Sequence, residues 1–145
     1  MAATLSLVGS IIAVVQTGDR LVSLLNKVRP LFEAREGINL LISDISSFKT
    51  VLVDLESALD QNATSVPTQM EINMKQNIEE GRKVLIELET LVDVSFRRPQ
   101  ATGSSDPSKI NRIAWTKKVH TVEHLRQRLR DVKVNLLVQL GTLQM

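Results

Sequence analysis

Ile38, Leu41, Ile45, Phe48, Leu52, Leu55 and Leu59 recur at alternating intervals of three and four residues without a miss. An apolar residue at an average of 3.5 positions lines one seam of an α-helix and no face of a β-strand. The seam predicts a helix over about 35–60. It also predicts that this helix runs nearly parallel or antiparallel to its neighbours, because a continuous seam is covered only by another aligned helix.

The rest of the chain repeats the helical period. Leu7, Ile11, Val14 or Val15, Leu21, Leu25 and Val28 predict a first helix over about 4–28, and Leu5, Val8, Ile12, Val22 and Leu24 widen its apolar stripe. Thr4 is a candidate cap, Gly18-Asp19 a candidate kink, and Arg29-Pro30 a stop, since residues before proline avoid the α region. Pro67, Thr68 and Glu71 suggest a capping box opening a third helix over about 68–94. Its stripe is Met74, Ile78, Leu85, Leu88 and Val92, with Gly81 in the gap position. Two prolines, a glycine and small polar residues between Phe96 and Ser108 predict a long mobile surface loop. Trp115, Val119, Val122, Leu125, Leu129, Val132, Leu136, Leu140 and Leu143 then mark a last helix over about 109–143. The expected fold is a single all-α domain spanning 1–145, a four-helix up-down bundle with a long mobile loop before the last helix.

Charge is unevenly spread. Arg97 to Lys133 holds ten Lys/Arg against three acids, while the rest holds eight against thirteen, which together give the net +2. The basic third suits either pairing with acidic helices or a surface for anionic partners. Lys117, Lys118, Arg126, Arg128, Arg130 and Lys133 are spread around the last helix, with neither interleaved aromatics nor a reading motif, so nucleic acid is not the expected partner. By contrast, no charged side chain occurs between the start and Asp19. The most apolar part, Ala2 to Val15, is shorter than the roughly 20 residues a spanning helix needs, and no basic region marks a signal peptide. The absence of cysteine removes disulfides and fits a cytoplasmic resting location. Asn62-Ala63-Thr64 matches a glycosylation sequon that has no secretory context.

Catalytic patterns are weak. His120-Thr121-Val122-Glu123-His124 matches H-x-x-E-H, and two histidines at i and i+4 share a helical face. A catalytic metal needs a third ligand and an open site, and Asp131 is the only acid after His124. Glu79, Glu80, Glu87 and Glu89 read as solvated charges on an amphipathic helix. No phosphate-cradling glycine loop is present. We therefore expect no catalytic residue, metal, cofactor or small-molecule substrate.

The opening Leu7-Val8-Gly9-Ser10-Ile11-Ile12-Ala13-Val14-Val15 resembles the start of the HeLo-like domains, the N-terminal domains of fungal STAND (NOD-like receptor) proteins. Arg112-Ile113-Ala114-Trp115-Thr116-Lys117-Lys118, followed by Val122 to Leu129, is similar to that family's tryptophan, basic pair and amphipathic last helix. Arg97-Arg98 in the preceding loop also fits, and the likeness spans essentially the whole chain. The resemblance implies a helical cell-death domain of innate immunity and heterokaryon incompatibility, related to HeLo and other four-helix executioner domains. The nucleotide-binding and repeat modules of full receptors are not in this sequence.

Together these readings give an expected function. The chain is expected to oligomerise with copies of itself when triggered by a receptor or amyloid-signalling partner, and to move from the cytoplasm to the plasma membrane. Leu5, Leu7, Val8, Ile11, Ile12, Val14 and Val15 would insert, while Arg97, Arg98, Lys117, Lys118, Arg126 and Arg130 would face anionic lipid or a partner. The alternative is a signalling adaptor that self-associates or binds another helical domain without entering lipid. An exposed seam at Leu41, Phe48 and Leu55 would favour the adaptor.

Overall fold

The helical spacings are realised in a computed structural model that describes residues 2–31, 36–61, 66–96 and 118–143. Among the described residues four helices form: α1 (Ala2–Val28), α2 (Glu36–Gln61), α3 (Thr68–Phe96) and α4 (Val119–Leu143), with a 3-10 turn at Arg29–Leu31 after α1. Side chains are described except those of 2–5, 31, 36, 95 and 96. The expected loop at 97–108 and the expected start of the last helix at 109–117, including Trp115, lie outside the described residues.

The boundaries follow local chemistry. α1 passes through Gly18 without a break, because both flanking turns bury apolar residues on the same face. The Glu71 amide donates to the Pro67 carbonyl at 3.1 Å, so helical bonding begins at proline and Thr68 is the first helical residue rather than the cap. The Lys118 carbonyl likewise accepts the first bond of α4, from the Val122 amide at 2.9 Å.

Helix directions alternate along the chain, up-down-up-down. Arg29 meets Asn39 while Asp19 meets Lys49, so α1 and α2 are antiparallel. Ser10 shares a groove with Ile72 and Gln76 while Arg20 meets Glu89, so α1 and α3 are parallel. Glu87 meets Arg128 while Asn77 meets Gln139, so α3 and α4 are antiparallel. The order around the bundle axis differs from chain order. α1 sits beside α2 and α3, and α4 beside α2 and α3, which leaves α1/α4 and α2/α3 as the diagonals.

One continuous core runs down the axis. Every seam residue of α2 is buried, from Ile38 to Leu59. Across the diagonal, the Phe48 ring reaches Gly81 of α3, where an added Cβ would lie 3.0 Å from Cε2 and 3.2 Å from Cε1 and would overlap Cζ. Glycine is required there by close approach: the ring occupies the volume of a side chain.

Candidate functional site: the first helix and the ion-pair clamps

The first half of α1 meets the bundle through hydrocarbon. Leu7, Ile11 and Val14 are buried, Val15 packs against the core, Val8 is half-buried and Ile12 is 43% exposed on the outer side. The seven expected insertion residues therefore divide between the two faces, and the Leu5 side chain lies outside the described ones. Thr17 is buried, and its Oγ1 donates to the Ala13 carbonyl at 3.0 Å, so its polar group is satisfied inside α1.

Among the described residues, polar links from α1 to other helices begin at Asp19. The Lys49 stem crosses Gly18, where a Cβ would sit 3.0 Å from Lys49 Cδ, and its Nζ donates to Asp19 Oδ1 at 2.5 Å. Arg20 donates to both oxygens of Glu89 on α3, from Nε at 2.7 Å and Nη2 at 3.2 Å. The hydrogen bond and the charge of Glu89 raise the Arg20 pKa above its ordinary value. Arg29 Nη1 donates to Asn39 Oδ1 at 3.3 Å. The second half of α1 is thus clamped on both flanks, and the first half is held by apolar burial.

By length and composition, Ser6–Val28 is long and apolar enough to cross a membrane. At 1.5 Å per residue this segment, which includes Asp19, Arg20 and Lys27, reaches about 34 Å against a hydrocarbon core of about 30 Å, whereas the uncharged stretch to Val15 stays shorter. A core helix of a bundle meets the same test, and the buried face of α1 satisfies both descriptions.

The basic residues of α4 are engaged internally. Arg126 is 5% exposed; its Nε donates to Asp44 Oδ2 of α2 at 2.7 Å and its Nη1 to Glu123 at 2.8 Å. Arg130 Nη2 reaches the same Asp44 oxygen at 3.4 Å. Arg128 pairs with Glu80 and, at 3.3 Å, with Glu87, both on α3. Burial opposes the Arg126 charge, but Asp44 and Glu123 outweigh it, so its pKa lies above the ordinary value. The hydrogen bond to Glu80 is the main cause of a similar rise at Arg128. A raised arginine pKa gives stability that is fully present below the ordinary arginine value and lost only as pH climbs past it. These guanidinium groups therefore stay charged at neutral pH.

Arg126 is an interior residue, which removes it from the surface expected to face anionic lipid or a partner, whereas Arg130 remains exposed while its Nη2 reaches Asp44. Periodicity in α4 alone carries no trace of an acid on α2. Lys118 is half-buried at the start of α4, and Arg97, Arg98 and Lys117 lie outside the described residues. His120 and His124 are exposed, and among the described residues no group of three His, Asp or Glu side chains could hold a metal. Leu41, Phe48 and Leu55 are all buried, so the α2 seam is core and no longer favours an adaptor. The sequence reading missed an outward apolar face on α4, formed by Val134, Leu137 and Val138. Its only signal was apolar residues falling between the stripe positions.

No family model, no curated protein and no solved structure matches the chain.

Proposed function

We propose that this domain is a membrane-targeting effector of programmed cell death, a closed bundle at rest that delivers α1 to lipid when copies are clustered by a receptor or amyloid-signalling partner. The observation that carries this reading is the asymmetry of α1. Its first half has no charge and, among the described residues, no polar link to another helix, so lipid offers it what the core offers. Release exposes Leu7, Ile11 and Val14 at roughly 1.5–3 kcal/mol each, and insertion recovers a similar amount. Clustering then tips a near-balanced exchange. The cell-death setting, and movement from cytoplasm to plasma membrane, come from the resemblance to HeLo-like domains. Attraction to anionic headgroups falls to Lys118, Arg97, Arg98, Lys117 and the exposed Arg130, because Arg126 is buried against Asp44.

The test uses the absence of native cysteine. An environment-sensitive fluorophore on Ile12→Cys should shift to the blue when the clustered protein meets vesicles, while the same label on Val94→Cys stays aqueous. A label at position 12 that remains aqueous on vesicle-bound protein contradicts insertion. A signalling adaptor is the second reading, and the outward face of α4 is the observation that favours it.

A further inference from the structure

A groove of about 580 Å³ runs between α1 and α3, walled by Ser10 on one side and by Ile72, Lys75, Ile78 and Lys83 on the other. Its floor is hydrocarbon: Ile78 is buried in the core, and Ile72 is 45% exposed towards the start of α3. Its charge is unbalanced. Glu79 and Glu80 also line it, but Glu79 accepts from Arg82 at 3.0 Å and Glu80 accepts from Arg128. Lys75 and Lys83 are exposed and, among the described residues, have no ion-pair partner. The groove therefore offers apolar surface beside two uncompensated ammonium groups.

Size and spacing narrow the occupant. A small anion held by exposed lysines alone gains little in water, so hydrocarbon contact must supply most of the affinity. A docked helix, about 10–12 Å across, exceeds the groove, whose volume is that of a site for one small ligand. Ile72 and Lys83 stand about 16 Å apart along α3 at 1.5 Å per residue, with Ile78 between them. An apolar track that ends in a cation is the complement of an extended acyl chain that ends in a carboxylate.

We propose that this groove binds a single-chain fatty acid, with the carboxylate at Lys83 and the chain running over Ile78 to Ile72, covered by the Lys75 stem. Such a ligand touches both Ser10 and α3, so it ties the first half of α1 to its neighbour and stabilises the closed bundle by mass action. The proposal concerns the closed bundle and does not depend on membrane entry.

The probe is cis-parinaric acid, whose fluorescence rises in apolar surroundings, used below the concentration at which it forms micelles. Titration into the native protein should saturate at one probe per chain, and palmitic acid should displace it. The methyl ester of the probe should bind about tenfold more weakly or worse. Lys83→Glu and Ile72→Asp, both at exposed positions, should stay folded by circular dichroism and each lose about tenfold or more in affinity. Lys27→Glu, exposed and outside the groove, should bind as the native chain does. No saturable binding, equal binding of acid and ester, or native affinity in both Lys83→Glu and Ile72→Asp overturns the proposal. Binding confined to phosphatidylserine vesicles, with none of the monomeric acid, also overturns it and assigns the lysines to a bilayer surface. Membrane entry stands or falls separately, on the label at position 12.

Discussion

Gly81→Ala is the perturbation whose sign is most informative. In an ordinary helix interior this change stabilises by about 1 kcal/mol, because alanine loses less backbone freedom. Here the new methyl overlaps the Phe48 ring, whose Cε atoms stand 3.0 and 3.2 Å from the Cβ position. Phe48 has no exposed surface and is enclosed by the core, so the ring cannot swing aside. Overpacking of this kind costs about 1–3 kcal/mol, which offsets the propensity gain and leaves a net loss of up to about 2 kcal/mol. Urea denaturation followed by circular dichroism reads the difference as a lower midpoint at unchanged slope. Phe48→Leu removes the ring edge, so Gly81→Ala should cost less in that background than in the native chain. The double-mutant cycle should give a coupling of about 1 kcal/mol or more. A Gly81→Ala protein more stable than the native one would refute the diagonal contact.

Arg126→Ala should destabilise by about 2–3 kcal/mol, at or below the usual range for a broken buried pair, because Asp44 keeps Arg130 as a partner; the same denaturation series measures it. Arg20→Ala removes an exposed pair and should leave the urea midpoint nearly unchanged, in keeping with the small worth of surface ion pairs. Ile11→Lys places a charge at a fully buried position and should abolish the cooperative transition, whereas Ile12→Lys should retain it.

The fold was legible where it depends on local pattern. Ile38 to Leu59 announced α2, and Met74 to Val92 announced α3, because a seam records a helix's own geometry. What depended on a second helix was hidden. Gly81 occupied a gap in a stripe, and only Phe48 on the diagonal explains it. Arg126 stood open between pairing with acidic helices and a surface role, and only Asp44 on α2 decides it. The ring order was hidden too, since seam periodicity says that a helix has neighbours and not which ones. The residues proposed to insert fell between these cases. Leu7, Ile11 and Val14 on one face, with Ile12 on the other, follow from a period of 3.6, but which face met the core required the other helices. That placement decides the functional probe: Ile11 tests the fold, and Ile12 tests the membrane.

The most direct measurement is dye release from vesicles by clustered protein, native against Ile12→Lys. A lysine at mid-helix adds roughly 2.5–3.5 kcal/mol to insertion while leaving the closed bundle intact. The account predicts leakage with the native chain and its loss with a folded Ile12→Lys. Equal leakage from both, or none from the native chain when clustered, would contradict delivery of α1 into lipid.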